Sequence, residues 1–233
     1  MNKFKSAQAL TITVIVAGTN EPSNSNMLAD TMIEGMKVTY PDIIIHKVFL
    51  KDITIEHFNL DCYGPSCPID GLTKVEAMIK KSDGVIIATP MWNFGVPAHL
   101  KNLIDRMGSF ALDESRSVGT LNGKPFFLIF TAGMPKAAWP FLRKTVSGLG
   151  IAIQYFGGSV LGTLFEGGCT LGRGKFGLVV DKRPATLKRA REKGVIFARN
   201  VHAFAQTKSL PLRFRLIKKF IRVSQQVKKK MGL

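Results

Sequence analysis

The sequence predicts a doubly wound α/β sandwich, in which helices cover both faces of one five-stranded parallel sheet. Two observations lead to this prediction. Short, nearly continuous apolar runs alternate along the chain with segments of helical periodicity. Buried parallel strands have such runs because helices cover them from both sides. The chain has 233 residues, of which 45% are hydrophobic, enough for one folded domain of good size with an appendage.

The predicted elements follow one another in alternation from the first apolar run. We expect strands at 10–17, 43–50, 84–90, 125–133 and 153–162. We expect helices at about 27–38, 72–81, 97–107, 136–150 and 184–206. The first apolar run follows a basic start, as in a secretion signal, but its β-branched residues and the polar loop after it favour a core strand.

Positive charge is concentrated near the C-terminus. The formal net charge is +17, and eleven Lys and Arg residues follow Glu192, which is the last acidic residue. Subtracting these eleven from +17 leaves +6 for residues 1–192. The chain therefore divides into a cofactor-binding domain at residues 1–206 and a basic amphipathic extension at residues 207–233.

The extension has apolar residues near one stripe of a predicted helix, with Lys and Arg around it. The stripe comprises Leu210, Phe214, Ile217, Phe220, Ile221, Val227 and Met231. Such a helix can lie on an anionic membrane surface or pack on a partner subunit. Packing is slightly favoured, because a symmetric dimer offers a ready neighbour. Nucleic acid is not expected as a partner, since no nucleic-acid-binding fold is indicated.

Three loops are expected to form one site, because ligands of this architecture bind outside the carboxyl ends of the strands. The loop after the first strand, "GTNEPSNSN", places hydroxyl and amide side chains before a helix start. These residues are Thr19, Asn20, Ser23, Ser25 and Asn26. With the free N–H groups of the helix they predict a phosphate cradle, although a plain polar turn with an N-cap is the alternative. A dinucleotide fingerprint is absent from this loop, which favours a single phosphate.

The loop after the third strand is unusual because two large aromatic residues follow the proline that ends the strand. It comprises Pro90, Met91, Trp92, Asn93, Phe94 and Gly95. The rings offer flat apolar surface, and the amide and backbone N–H groups offer hydrogen bonds, as a flavin requires. The alternative is that the rings plug the core or contact another subunit. The third loop, at Thr131, Ala132 and Gly133, reaches the same edge, so we predict FMN as the cofactor.

The segment "ATPMWNFGVPAHLKNLIDRM" (88–107) resembles the strand-3 motif of the NAD(P)H-dependent FMN reductase and azoreductase superfamily. The first loop resembles the phosphate loop of these proteins without its frequent Arg, and "TAG" (131–133) resembles their third flavin loop. The resemblance covers residues 10 to about 160. It implies a flavodoxin-like fold, FMN on the three loops, NAD(P)H as co-substrate, and a homodimer or homotetramer with the flavin near the interface.

The resemblance implies an enzyme that transfers hydride through FMN to a quinone, azo, nitro or flavin acceptor. No catalytic residue is assigned, because the cofactor carries the chemistry. His99 and Arg106 are expected to lie on a helix surface or at a dimer contact. One alternative is an electron carrier reduced by a protein partner. Another is a binding or scaffold protein without flavin that acts through its basic tail. The expected location is the cytoplasm, with peripheral membrane contact as one role for the tail.

Three cysteines, Cys62, Cys67 and Cys169, are too few for a disulfide framework. The segment around the first two has some similarity to iron–sulfur flavoproteins, but it lacks the full four-cysteine motif. Inert cysteines are favoured over a redox-active pair, and no metal site is predicted. The Gly-rich segment 162–177 either closes over the flavin or simply connects two elements. Its "GRGKFG" match to a dinucleotide fingerprint is rejected, because no strand precedes it and no helix follows it.

Overall fold

Five parallel strands form a single sheet in the computed structural model, which describes residues 9–64, 66–172 and 175–231. The strands are β1 Thr11–Val16, β2 Ile44–Phe49, β3 Gly84–Pro90, β4 Pro125–Thr131 and β5 Ser159–Glu166. Their order across the sheet is β2-β1-β3-β4-β5. From β1 the chain therefore first moves outward to β2 and then returns to β3 on the other side. This is the predicted doubly wound fold, with its switch point between β1 and β3.

Helices cover both faces of the sheet. They are α1 Asn24–Thr39, α2 Leu72–Lys81, α3 Ala98–Arg106, α4 Gly108–Ala111, α5 Trp139–Thr145, α6 Ser147–Tyr155, α7 Pro184–Thr207 and α8 Leu212–Lys230. Short 3-10 turns lie at Leu50–Asp52, Leu60–Tyr63, Lys136–Ala138 and Val180–Lys182. Among the described helices, none is both long enough and apolar enough to cross a membrane.

Each strand contributes to two separate cores, because successive side chains point to opposite faces. On one face, Ile12 and Val14 of β1 pack with Met32 of α1 and Phe197 of α7. On the other face, Ile15 packs in the cluster that contains residues of α2, α3 and α6. This double burial explains why the strands read as continuous apolar runs in the sequence.

Helices α1 and α7 cross at backbone contact. A Cβ atom at Gly35 would lie 2.1 Å from the carbonyl oxygen of Arg191, and one at Gly194 would lie 2.1 Å from that of Met32. Real Cβ atoms do not approach backbone this closely, so each helix needs glycine at the crossing. The contact holds α1 tightly against α7 on one face of the sheet, and thereby sets where the N-terminus of α1 lies.

Two sequence predictions were wrong in their boundaries. The helix expected at 136–150 is two short helices, α5 and α6, and the strand expected at 153–162 begins only at Ser159. Residues 153–155 end α6, and the chain turns at Gly157 and Gly158 before β5 starts. Periodicity cannot distinguish a buried helical turn from a buried strand within a short apolar run, and the whole segment is apolar.

The C-terminal extension forms α8 and packs back on the domain. The proposed boundary at residue 206 falls next to Thr207, where α7 ends, and Leu210 in the connection is buried. The side-chain amide of Gln225 donates a 2.7 Å hydrogen bond to the carbonyl oxygen of Tyr155. Residues 1–8 of the proposed domain and residues 232–233 of the extension lie outside the described residues.

The α1–α7 crossing generates a stability prediction. Gly194→Ala should lower the free energy of unfolding by about 1–3 kcal/mol, because the methyl group forces the helices apart. Gly148→Ala is the control: it lies on α6, and apart from its chain neighbours and its own helix backbone no atom lies within 4 Å of the added Cβ. There the higher helix propensity of Ala should stabilise the protein by up to about 1 kcal/mol. Urea unfolding measures both, and equal effects of the two substitutions would contradict the close crossing.

Candidate functional site

The loops after β1, β3 and β4 meet in one cleft of about 240 Å³ at the carboxyl edge of the sheet. Most of the predicted site residues line it. They are Thr19, Asn20, Ser23, Ser25, Pro90, Met91, Trp92, Asn93, Thr131, Ala132 and Gly133. The structure therefore brings together the three loops that the sequence singles out.

The first loop brings two hydroxyl groups together at the start of α1. The Oγ atoms of Ser23 and Ser25 are 3.1 Å apart, and Ser23 caps the helix by accepting from the backbone N–H of Asn26 at 3.3 Å. A Cβ atom at Gly18 would lie 2.7 Å from the Oγ of Ser23 and 2.9 Å from that of Ser25. The chain thus passes close beneath the hydroxyls only because residue 18 has no side chain. A helix N-terminus with converging hydroxyls suits an anion.

The described lining of the cleft offers only neutral donors to an anion. Among the described residues that line it, none is Lys or Arg. An anionic group there would accept hydrogen bonds from neutral hydroxyl, amide and backbone N–H groups. The N-terminal dipole of α1 would stabilise its charge.

The β3 loop makes a tight turn with an unusual backbone. Trp92 and Gly95 exchange two backbone hydrogen bonds of 2.9 Å, and the residues between them, Asn93 and Phe94, have φ angles of 47° and 64°. Two successive positive φ angles are those of a type I′ turn. Phe is strained in this region, at a cost of about 1–3 kcal/mol. Strain of this kind is found where a loop must present its groups in a fixed way.

Aromatic rings at the mouth of the cleft are exposed to solvent. Trp92 is 39% exposed and Phe94 is 55% exposed, so neither plugs the core. The Trp92 ring stacks on Phe176 of the Gly-rich segment, with centroids 5.6 Å apart and planes 30° apart. Phe94 meets Phe141 edge to face at 6.1 Å. The cleft therefore has a flat apolar wall beside its polar end.

The three strand ends are joined by backbone hydrogen bonds. The N–H of Met91 donates to the carbonyl oxygen of Thr131 at 2.7 Å, and the N–H of Ala132 donates to that of Glu166 at 3.0 Å. The N–H of Cys169 donates to Ala132 at 2.8 Å. The loops after β3, β4 and β5 are thus stacked in order along the edge of the sheet.

Three predicted residues do not line the cleft. Asn26 lines a neighbouring pocket together with Lys51, and its side-chain oxygen is buried without a hydrogen-bond partner. Phe94 turns to Phe141, and Gly95 closes the β3 turn. Phe94 and Gly95 owe their positions to the β3 turn, and Asn26 owes its position to the first turn of α1.

The Gly-rich segment, for which the sequence left a cover over the site and a plain connection open, contributes residues to the cleft that the sequence did not single out. Cys169, Thr170 and Phe176 line the cleft, and Phe176 stacks on Trp92 of the β3 loop. Asn24 attaches the segment to α1: its side chain donates to the carbonyl oxygen of Gly177 at 2.8 Å and accepts from the N–H of Val179 at 2.8 Å. The one sequence feature that could have indicated this role is Phe176, an aromatic residue in a segment rich in glycine. Gly174, part of the rejected "GRGKFG" match, lies outside the described residues.

Glu166 anchors the start of this segment as a buried carboxylate. Lys136, Arg183 and Arg189 each form an ion pair with it at 2.8–2.9 Å, and its side chain is 3% exposed. Burial alone would raise the pKa of Glu166, but hydrogen bonds from Lys136 and Arg183 outweigh burial and lower it. Arg183 also donates to the carbonyl oxygens of Gly167 and Gly168.

The three cysteines are free thiols. Burial raises the pKa of Cys169 to about 11, so this thiol at the cleft is protonated at neutral pH and is a poor nucleophile. Cys62 contacts the side chain of Asn59, and the sulfur of Cys67 lies 3.6 Å from the guanidinium of Arg106. Among the described residues, no three Cys, His, Asp or Glu side chains are grouped to hold a metal ion.

The expectation for Arg106 was wrong. It is fully buried inside the subunit, where it pairs with Asp70 at 2.9 Å and donates to the carbonyl oxygen of Glu56 at 2.7 Å. Arg106 therefore holds the irregular segment before α2 against α3 and does not lie on a helix surface. His99 is half-buried, and its Nε2 hydrogen-bonds with the carbonyl oxygen of Ala17 at 2.8 Å, which ties α3 to the end of β1.

Comparison with known proteins supports the resemblance. The sequence profile of the family described as "Flavodoxin-like fold" matches residues 11–165. The FMN-dependent NADH:quinone oxidoreductase 5 of Pseudomonas fluorescens is 29% identical over 127 residues, which cover 48% of this chain and 63% of that protein. The FMN-dependent NADH:quinone oxidoreductase of Exiguobacterium sp. is 27% identical over 156 residues, 57% of this chain and 74% of that protein. The match to the Pseudomonas protein thus spans less than two thirds of its length.

A solved structure gives the same fold. The FMN-dependent NADH-azoreductase of Bacillus anthracis str. Ames Ancestor, in complex with FMN, superposes with a TM-score of 0.61 at 16% sequence identity. The superposition covers 81% of this chain and 99% of that one. At this identity the likeness concerns the fold.

The Glu166 cluster generates a prediction about pH. Glu166→Gln should lower the free energy of unfolding at pH 7 by roughly 2–4 kcal/mol, because three cations lose their carboxylate. The folded-state pKa of Glu166 is lowered, so its contribution is present above the unfolded-state pKa of about 4.3 and disappears as pH falls through the folded value. The difference between wild type and variant should therefore shrink in acid.

Urea unfolding at pH 7 and at successively lower pH measures this difference. Glu76→Gln is the control, because Glu76 forms a partly exposed pair with Lys80 within α2, and its loss should cost about 0.5 kcal/mol or less. A Glu166 effect that stays constant over the acid range would contradict the assignment.

Proposed function

The chain belongs to the family of proteins with a flavodoxin-like fold, and on that basis we propose that it is an FMN-dependent NAD(P)H oxidoreductase. Its acceptor is a quinone or an azo compound, the classes named for its relatives and structural neighbours. One observation carries the proposal: a single cleft combines an anion-binding helix N-terminus with a flat aromatic wall. FMN has both parts, a phosphate and a planar ring system.

The residues at the polar end of the cleft fit a phosphate. Ser23 and Ser25 offer hydroxyl donors, and the first N–H groups of α1 have no partner within the helix. The space under the hydroxyls depends on Gly18. The first loop has no dinucleotide fingerprint for a pyrophosphate, which favours FMN over FAD.

The residues at the other end fit a planar ring. Trp92 and Phe176 offer apolar faces, and Asn93 on its fixed turn offers an amide beside them. Thr131, Ala132 and Gly133 provide the floor. When bound, FMN supplies the acceptance and release of a hydride equivalent. The chain's own residues hold the ring, orient it and exclude water, so no protein acid or base is required for hydride transfer.

The first test of the proposal is the identity and reactivity of the cofactor. Purified protein, reconstituted with flavin if necessary, should release FMN on acid treatment, and NADH or NADPH should bleach its visible absorption in stopped flow. FAD in stoichiometric amount would contradict the cofactor. Bleaching by dithionite without bleaching by either nicotinamide would indicate an electron carrier. An unchanged spectrum after FMN addition would contradict both redox functions.

The second test concerns the phosphate end. Ser25→Ala should weaken FMN binding by about 1.5–3 kcal/mol, because a hydrogen bond to a charged phosphate is lost. Ser82→Ala is the matched control, since Ser82 is a buried serine away from the cleft whose hydroxyl donates to Ile79. Fluorescence titration measures both affinities. Equal affinities of wild type and Ser25→Ala would place the phosphate elsewhere.

A further inference from the structure

Helix α8 has two different apolar faces, not the single stripe that the sequence predicts. The inner face packs on the chain's own domain: Phe214 joins the core beside α1 and α7, Ile221 is half-buried, and Gln225 is 5% exposed. Leu210, just before the helix, is also buried. These residues need no further partner.

The outer face of α8 is apolar and exposed. Leu212, Leu216, Phe220, Val223 and Val227 are 48–77% exposed. Their spacing of three and four residues places them in one stripe along the helix. The stripe extends over about 22 Å at 1.5 Å per residue. A stripe of this length with exposed Leu and Phe is unusual on a free protein surface, and it indicates a binding surface.

A group of cations flanks the outer stripe. Lys208, Arg215, Lys219 and Arg222 line a shallow pocket of about 290 Å³ together with Ser209. In the described part of the chain, no carboxylate forms a salt bridge with any of the four. No acidic residue follows Glu192 in the sequence, so α8 itself has no carboxylate that could neutralise them. The surface therefore combines an apolar stripe with uncompensated positive charge.

We propose that α8 binds the surface of a bilayer that contains anionic phospholipids. The outer stripe enters the boundary between headgroups and acyl chains, and the four cations meet lipid phosphates. Helices that lie in this boundary have the same combination of a large apolar face and flanking Lys and Arg. Each basic residue near an anionic surface adds to the attraction. The inference is independent of the proposed redox function.

Charge argues against a second copy of this chain as the occupant. Two α8 helices packed stripe to stripe would bring the cations of both copies together, and α8 has no acidic residue to pair with them. Like charges that are brought together weaken such a contact. Nucleic acid would satisfy the cations but would leave the apolar stripe in water. An anionic bilayer satisfies both parts of the surface.

Vesicle sedimentation of the full-length protein tests the proposal at physiological ionic strength. The protein should sediment with vesicles of phosphatidylcholine and phosphatidylglycerol in equal parts, and not with vesicles of phosphatidylcholine alone. The double variant Leu216→Ser/Phe220→Ser should weaken this binding by about tenfold or more, because both side chains are exposed and their apolar area no longer enters the bilayer. Lys219→Glu/Arg222→Glu should weaken it by about tenfold or more as well.

Matched control variants carry the same changes at other exposed helix positions. Val38→Ser/Ile196→Ser removes two exposed aliphatic side chains from α1 and α7, and Lys74→Glu/Lys81→Glu reverses two exposed charges on α2. Both controls should bind anionic vesicles like wild type. Circular dichroism and light scattering should show that all four variants keep the fold and particle size of wild type.

Several results would overturn the proposal. The proposal is wrong if the protein sediments equally with both kinds of vesicle, or if it sediments with neither kind. A smaller particle for Leu216→Ser/Phe220→Ser than for wild type would also overturn it, because it would mean that a second copy of the chain covers the stripe in the wild-type protein. Inorganic phosphate that releases the protein more strongly than chloride at equal ionic strength would indicate a site for free phosphate. Tighter binding to a random DNA duplex than to anionic vesicles would indicate nucleic acid.

Discussion

The backbone contact between α1 and α7 is the constraint on which the rest of the site depends. Gly35 and Gly194 allow the two helices to cross without intervening side chains. Two parts of the cleft lining, the start of α1 and the Gly-rich segment, are connected to this pair of helices. The N-terminus of α1 supplies Ser23 and Ser25, while α7 begins at Pro184, a short connection after the Gly-rich segment that supplies another part of the lining. Because neither helix can shift without a clash of backbones, the distance between these two parts of the lining is set by close packing in the core.

Two polar anchors extend this rigidity to the irregular parts of the chain. Asn24 binds the backbone of the Gly-rich segment to the start of α1, and Glu166 collects three cations where that segment leaves β5. A buried carboxylate is costly unless it is paired and hydrogen-bonded. Glu166 meets this condition, because three cations pair with it. The same principle applies to Arg106 and Asp70 on the other face of the sheet. Each anchor fixes a segment that has little regular structure of its own.

The strained turn at Asn93 and Phe94 shows how this rigidity is used. Its positive φ angles cost free energy, and the surrounding hydrogen bonds of the β3 and β4 loops maintain them. The result is an exposed aromatic wall with a fixed orientation beside the anchored Gly-rich segment that carries Phe176. A planar cofactor is best held by such a wall, because the ring surface is then ordered before binding. The outer stripe of α8 is a second exposed apolar surface, and its cations distinguish it from the cleft.

The sequence by itself determined the sheet, its two covered faces and the three loops of the cleft. Buried strands are local apolar runs, and the loops follow them directly, so both can be read from neighbouring residues. Only the tertiary structure decided the partners of Arg106 and Glu166, the wall at Phe176 and the two faces of α8. Asp70 and Arg106 are 36 positions apart, and Asn24 and Gly177 are 153 apart. Contacts at such separations depend on the packing of whole elements, which local periodicity does not encode.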